Sequence, residues 1–417
     1  MVGLSAADYE ILVNLSEAPT ACMRSFELCE STQWEKSRLS HHLKRTLFTQ
    51  DCGAACPALD KHAETEARKL AGCDTDVPQD SFRPATHDDC EERPVSNTDA
   101  RPEVVACEPS TSPSVPEVLQ PRMVPLGGPR AQPVRRTLPQ RARSLIGAWC
   151  FIDHYGPNEI PATGGMTLPG HPHTGLQTVS WLFAGTLEHL DTIGSKSLVR
   201  AGEMNLMTAG RGIAHSEFST PETRVLHGVQ LWVALPERDR FTKPRFDYFV
   251  PEPFAIGDAR LTVFLGSLMG ATSPVETSTP LLGAELNLAP ASTLTLDVDR
   301  AFEHGILVDA GDVRVAGVTA TDAELLYLPI GSTSLTIETG DRPVRAVLLG
   351  GEPLNERIIM WWNFIGRTHE EIVRFRSEWQ EQMSTDREEG PYGRFPDQWH
   401  KVLPAPEMPN GQLKPRS

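Results

Sequence analysis

GHPHTGLQTVSWLFAG, running from Gly170 to Gly185, sets two histidines one residue apart and then enters an apolar, β-branched run. In a strand, residues i and i+2 point to the same face. His171 and His173 therefore project together, with Pro172 turned away. Taken alone, the pair fits two readings: half of a metal site, or two histidines that are packed or solvent-exposed. The run that follows has many counterparts. VLHGVQLWVAL, RLTVFLG, STLTLDVD, HGILVDAGDVRVAGV, AELLYLPIG, SLTIETG and RAVLLGG alternate with Gly, Pro and Asp turns from about residue 118 onward. That spacing predicts an all-β sandwich or barrel.

A partner for the first histidine pair lies some forty residues on. TAGRGIAHSEFS carries His215 and Glu217, again two residues apart, behind a Gly-x-Gly turn. Two strands of one β-structure with converging inner faces would bring three imidazoles and a carboxylate together. His189 and His227 fall outside both pairs and read as supporting or packing groups, and His154, His304 and His369 stand singly. Only Cys150 lies near the set, which disfavours a thiolate zinc site. Imidazole plus carboxylate with open positions suits non-haem Fe(II) and permits Mn, Co, Ni or Cu.

The rest of the chain bounds the reading. Its 417 residues suffice for two or three domains, and a net charge of −16 argues against a chain built mainly to hold nucleic acid or an anionic membrane. No apolar run reaches the roughly 18–20 residues a membrane span needs. The N-terminus MVGLSAADYEILVNLSEAP has no basic region of the secretory kind, so a cytoplasmic protein is expected. All cysteines but Cys150 lie within the first 107 residues without a C-x-x-C pair, and are read as free thiols.

Composition sets off three zones, and pattern divides the third, giving five ranges. Residues 1–48 read as helical, and 49–117, rich in Pro, Asp, Glu, Ser and Thr, as a disordered linker. Residues 118–240 and 241–365 read as two β-domains of one design, since RAGEMNLMTAGRGIAHSE has a weaker echo in ATDAELLYLPIGSTSLT when Gly212 is set against Gly331. Residues 366–417 hold one helix, with Ile372, Phe375 and Trp379 at helical spacing, and an extended tail. The basic run Arg135, Arg136, Arg141 and Arg143 is expected to be a solvated entry to the first β-domain, and MWWNFIG an aromatic packing cluster.

GHPHTGLQTVSWLFAG followed by NLMTAGRGIAHSE closely resembles the pirin family of the cupin superfamily. The resemblance extends from VPLGGPRAQPVRRTLPQRARSLIGAWCFIDHYGP to MWWNFIGRTHEEIV and on to the C-terminus. It implies a bicupin: two cupin β-barrels, of which only the N-terminal one holds iron, with His171, His173, His215 and Glu217 as ligands. Cupins often place a ligand glutamate four residues after the second histidine. Gln177 stands there, so the carboxylate role passes to Glu217. Ser334 and Thr336, echoing His215 and Glu217, make no iron site in the second barrel. The resemblance implies quercetin 2,3-dioxygenase-type chemistry with dioxygen in some members, with Glu217 taking the flavonol hydroxyl proton. In others it implies a regulatory role in transcription, in which iron redox state sets a surface read by a protein partner.

The N-terminal LSAADYEILVNLSEAP and FELCESTQWEKSRLSHHLKR resemble the start of MarR-type winged-helix regulators. Ser37, Arg38, His41 and His42 would then lie on a recognition helix. No wing strands or dimerisation helices follow Arg45, so phosphate contacts would be few and DNA is not the expected partner.

Overall fold

The run Val225–Ala234 is buried along nearly its whole length. A strand buried on both faces needs a cover on each side, and the architecture supplies both. The computed structural model describes residues 105–107, 115–126, 132–160, 165–385 and 390–413. All belong to one unit, Cys90–Ser417. The zone 1–48 lies outside the described residues.

Two short strands come first, β1 (Val105–Cys107) and β2 (Glu117–Leu119). The first β-domain follows with β3 (Arg122–Leu126), β4 (Gln132–Leu138), β5 (Trp149–Glu159), β6 (Thr167–His173), β7 (Leu176–Ala184), β8 (Thr186–Asp191), β9 (Lys196–Arg200), β10 (Met204–Thr208), β11 (Ile213–Ser219), β12 (Val225–Ala234) and β13 (Arg245–Phe249). They form a seven-stranded sheet, β13-β10-β7-β12-β5-β4-β3, and a four-stranded sheet, β6-β11-β8-β9. Val134, Tyr155, Leu168, Leu182, Leu187, Val199 and Leu226 pack between the two.

The second domain repeats this plan. Its strands are β14 (Phe254–Ile256), β15 (Ala259–Leu265), the small hairpin β16 (Ser267–Leu268) and β17 (Ala271–Thr272), β18 (Leu281–Leu288), β19 (Thr293–Asp297), β20 (Glu303–Ala310), β21 (Asp312–Val315), β22 (Val318–Thr321), β23 (Leu325–Leu328), β24 (Ser334–Thr339) and β25 (Val344–Gly351). The sheets are β2-β23-β20-β25-β18-β15-β14 and β19-β24-β21-β22, matching those of the first domain strand for strand. The duplication is therefore visible in topology, although sequence identity had all but lost it.

The two seven-stranded sheets pack against each other. Residues of both, among them Val179, Trp181, Leu206, Val229 and Leu231 with Phe264, Leu307, Leu325, Val347 and Leu349, form one core. The Trp181 ring stacks on Phe264 at 4.6 Å between centroids, and its indole N–H donates to Glu285. These covers explain why the central strands read as continuous apolar runs and not as alternating ones.

Four expectations are corrected. No closed barrel forms among the described residues; each domain is a double-sheet roll, the form that cupins share with jelly rolls. The domains are also not cut cleanly at 240/241: β13 completes the first domain's sheet, whereas β2 is the edge of the second domain's. Within the expected linker, β1 pairs with β26 (Ile358–Trp361), and the linker's last residue, Glu117, already opens β2, which pairs with β23. Backbone pairing at a sheet edge orders a short segment whose own composition could not. Finally, the basic run is not a solvated entry. Arg136 and Arg143 are buried, Arg136 forming a two-pronged pair with Asp153 at 2.7 and 2.8 Å and Arg143 lying 3.3 Å over the Tyr327 ring. Only Arg141 is exposed.

After β26 and β27 (Phe364–Gly366) the chain forms α1 (His369–Ser384), capped by the Thr368 side chain. Ile372, Phe375 and Trp379 are buried as their spacing predicts. The helix and tail return to the first domain. Trp361, Trp362, Phe364, Phe375, Trp379, Phe395 and Trp399 form an aromatic cluster that reaches Ala214 on β11. The Trp399 indole N–H donates to Ser216 Oγ, and Leu403 N–H to Gly170 O. Trp399 packs so close that a Cβ on Gly170 would lie 2.5 Å from its ring. The outer face of the β6–β11 pair is thereby sealed.

Inside the second domain, His304 is fully buried, and neither ring nitrogen has a partner among the described residues. Burial pulls its pKa down to about 4. An imidazole held neutral in the fold but free to protonate when unfolded stabilises the protein above its unfolded pKa. That contribution is lost as pH falls through the window between about 6.5 and about 4. Thermal melts from pH 7 to 4 are expected to show a steeper fall for the native chain than for His304→Leu.

Candidate metal centre

The first histidine pair ends β6, and the second pair lies on the neighbouring antiparallel β11. The register sets His215 opposite His171 and Ile213 opposite His173. A bulge between His215 and Glu217 then shifts the pairing so that Glu217 faces Leu168. Such a bulge re-aims a side chain locally. Gly175 turns the chain from β6 into β7 with φ +71, where a Cβ would meet the Ile365 carbonyl at 2.4 Å. Only glycine fits that turn without strain. Since the tail covers one face of β6 and β11, the odd-numbered residues from 171 to 173 and 215 to 217 project into the domain interior.

His171, His173 and His215 are each about 1% exposed, and their ligand nitrogens lie within 4.8 Å of one another. His173 Nε2 and His215 Nε2 are 3.1 Å apart. His171 Nδ1 lies 2.9 Å from the Pro169 carbonyl. A carbonyl only accepts, so Nδ1 carries the proton and Nε2 offers its lone pair. Burial holds the His171 pKa at about 4 and those of His173 and His215 well below the usual imidazole range, reinforced for the latter two by the other imidazoles. Three neutral imidazoles with converging nitrogens are the donors a transition metal takes.

Glu217 is 3% exposed and accepts a hydrogen bond from Ser180 Oγ at 3.2 Å. Burial raises its pKa, with His189 and the Ser180 hydroxyl opposing. It groups with His215 and His189 and not with all three imidazoles at once. The four expected residues thus fall in two overlapping groups that share His215, and imidazole and carboxylate donors of this kind fit a divalent ion. Trp232 packs beside this cluster, its ring 5.2 Å from His173 and stacked on Phe151 at 4.1 Å.

Other expected residues fall elsewhere. Gln177 points to the opposite face of its sheet, donating to Thr208 Oγ1 at 2.9 Å, consistent with its exclusion as a ligand. Ser334 and Thr336 are exposed, on the outer face of β24. The interior of the corresponding strand pair is filled by Leu294, Leu296, Leu335 and Ile337. The second domain is therefore silent at this place because its inward positions are aliphatic. Ser37, Arg38, His41 and His42 lie outside the described residues.

His227 does not support the metal pocket, and His154 does not stand alone. Both face the other domain, each with Nε2 on Asp309 Oδ1, at 2.7 Å for His154 and 2.6 Å for His227. Arg345 Nε donates to Asp309 Oδ2 at 2.6 Å and its Nη2 lies 3.2 Å from His227 Nδ1. Arg135 Nη2 lies 3.1 Å from His154 Nε2. Two guanidinium groups at this cluster oppose a cation and mark it as an interdomain clamp. No sequence spacing connects His154 with Asp309.

Two packed domains, one carrying buried histidines and a glutamate and the other aliphatic side chains at the corresponding strands, define a bicupin whose candidate metal ligands, among the described residues, cluster in the first domain. Residues 131–233 match the Pirin family and residues 283–384 the Pirin C-terminal cupin domain. The chain is 41% identical over 295 residues to a Pseudomonas aeruginosa protein whose name assigns it, provisionally, quercetin 2,3-dioxygenase activity, covering 69% of this chain and 91% of that protein. A Caulobacter vibrioides pirin-like protein is 31% identical over 255 residues, 59% of this chain and 87% of its own length. Among solved structures, a quercetin 2,3-dioxygenase from Acinetobacter baumannii superposes with a TM-score of 0.66 at 34% identity, covering 72% of this chain and 98% of that one. The chain belongs to the pirin family.

Proposed function

We propose that this protein is a quercetin 2,3-dioxygenase-type enzyme that opens a flavonol with dioxygen at a mononuclear Fe(II) held by His171, His173, His215 and Glu217. The observation that carries the reading is the convergence of three buried, neutral imidazoles beside a carboxylate whose pKa is raised. When bound, the ion supplies Lewis-acid activation and a template for both reactants. Mn, Co, Ni or Cu would fit the same donors.

The chain's own residues prepare the rest. Desolvation shifts Glu217 toward neutrality, so its carboxylate is a stronger base than an exposed glutamate and suits removal of the flavonol hydroxyl proton. Ser180 holds Glu217 Oε1. Trp232, braced by its stack on Phe151, sets its ring edge-to-face 5.2 Å from His173 and keeps that side of the cluster apolar. The names of the Pseudomonas and Acinetobacter relatives support the same reaction.

Oxygen uptake with quercetin, measured on iron-loaded protein and on His173→Ala, tests the proposal. Uptake by the native chain and none by the variant supports it. Iron binding without uptake overturns the enzyme reading and leaves a metal-dependent regulator.

A further inference from the structure

His189 and Asp191 lie two residues apart on β8, the strand on the other side of β11 from β6. Asp191 is buried and rigidly held: its Oδ1 accepts from Ile193 N–H at 3.0 Å and from Ser195 N–H at 2.8 Å. Its Oδ2 lies 3.1 Å from His189 Nε2. The other nitrogen of that ring, Nδ1, lies 3.3 Å from His215 Nδ1. His189 is 3% exposed and its ring stacks on Phe246 at 4.6 Å, so it has little freedom to turn away.

These contacts admit one assignment of protons in neutral rings. A carboxylate that already accepts two backbone N–H groups accepts again from His189, so Nε2 carries the hydrogen. His189 Nδ1 then has only its lone pair, and His215 Nδ1 donates to it. The His215 proton is thereby placed on the side away from His173, and its Nε2 lone pair is turned toward the other two imidazoles. We propose that the Asp191–His189 pair is a positioning device that sets the tautomer of His215 as a ligand. It rests on the reading that His215 ligates a metal. Partners of this kind fix ring orientation and raise ligand basicity, and their loss typically costs about 10–100-fold in metal affinity.

The design makes a specific variant informative. In Asp191→Asn the two backbone N–H groups keep the amide oxygen at the Oδ1 position, which places the NH2 group against His189 Nε2. His189 must then accept there and carry its hydrogen on Nδ1. His215 must accept at Nδ1, and its hydrogen moves to Nε2, where the metal would bind. The same inversion by a carboxylate-to-amide change is the known consequence in serine-protease triads. His189→Leu removes the acceptor altogether, whereas His189→Gln can still offer a carbonyl oxygen to His215.

Two measurements test this on the full chain. Co(II) affinity is read by chelator competition, and the tautomer of each ring by nitrogen NMR of 15N-histidine-labelled, metal-free protein. Expected are a loss of about 10–100-fold in Co(II) affinity for Asp191→Asn and His189→Leu, a smaller loss for His189→Gln, and transfer of the His215 proton from Nδ1 to Nε2 in Asp191→Asn. Native Co(II) affinity in Asp191→Asn, or a His215 proton that stays on Nδ1 in that variant, overturns the proposal. So does a His189 nitrogen that itself coordinates Co(II). If the native chain fails to bind Co(II) or Fe(II), it is the ligand assignment that falls. The proton positions in metal-free protein still judge the relay.

Discussion

Replacing His215 with alanine is expected to remove tight metal binding while leaving the fold intact. His215 is the one imidazole that faces both His173, through Nε2, and His189, through Nδ1. Its removal deletes a donor and leaves Glu217 without the neighbour that links it to the other two histidines. The loss of affinity for Fe(II) or Co(II) should exceed the roughly 100-fold upper range for a residue that only supports a ligand. Flavonol-dependent oxygen uptake should vanish with it. Gln177→Ala is the control. Its side chain is buried and polar too, but it points away from the pocket onto Thr208, and metal affinity is expected to stay native. Chelator competition and circular dichroism, run side by side, separate loss of metal from loss of fold.

The second large effect concerns the seam between domains. Asp309→Ala is expected to cost about 3–5 kcal/mol of unfolding free energy, the range for removing one partner from a buried charged network. Its side chain is 1% exposed and receives His154, His227 and Arg345 at once. Alanine would leave the His154 and His227 imidazoles without their buried acceptor and break the Arg345 ion pair. Burial opposes ionisation of Asp309, but the hydrogen bonds from His154 and His227 win, holding it well below the usual carboxylate range. A depressed carboxylate contributes stability above its unfolded pKa of about 4 and loses it as pH falls toward the folded value. Urea unfolding should therefore show the full gap between native and Asp309→Ala at pH 7. That gap should shrink below pH 4. A variant as stable as the native chain at pH 7 would mean that the clamp contributes nothing net.

Much of the candidate site is legible in the sequence. The i, i+2 spacing of His171 with His173, and of His215 with Glu217, is a property of strands, and each pair does share an inward face. The helical spacing of Ile372, Phe375 and Trp379 likewise marked the face that is buried. His189 and Asp191 carried the same alternation signal, although nothing in it told which neighbour they would meet.

Local pattern ends where packing begins. Setting Gly212 against Gly331 places Ser334 and Thr336 where His215 and Glu217 stand, yet β24 presents those two residues outward and aliphatic ones inward. Register is a property of strand pairs, and one step along the chain reverses every face. Arg136 and Arg143 looked like a solvated basic run because charge alone does not reveal a partner. Asp153, Tyr327 and Glu303 reach them only after folding.

The sequence by itself determined the strand-rich class and the two histidine-bearing strands, because side-chain alternation and turn chemistry are local. Only the tertiary structure decided that His154 and His227 serve an interdomain carboxylate, that the tail seals the back of the metal-ligand strands, and that His189 stands behind His215. Each of these joins residues far apart along the chain, or strands whose order in the sheet differs from their order in sequence. Such contacts follow from how whole sheets bury their apolar faces, which no short window of residues contains.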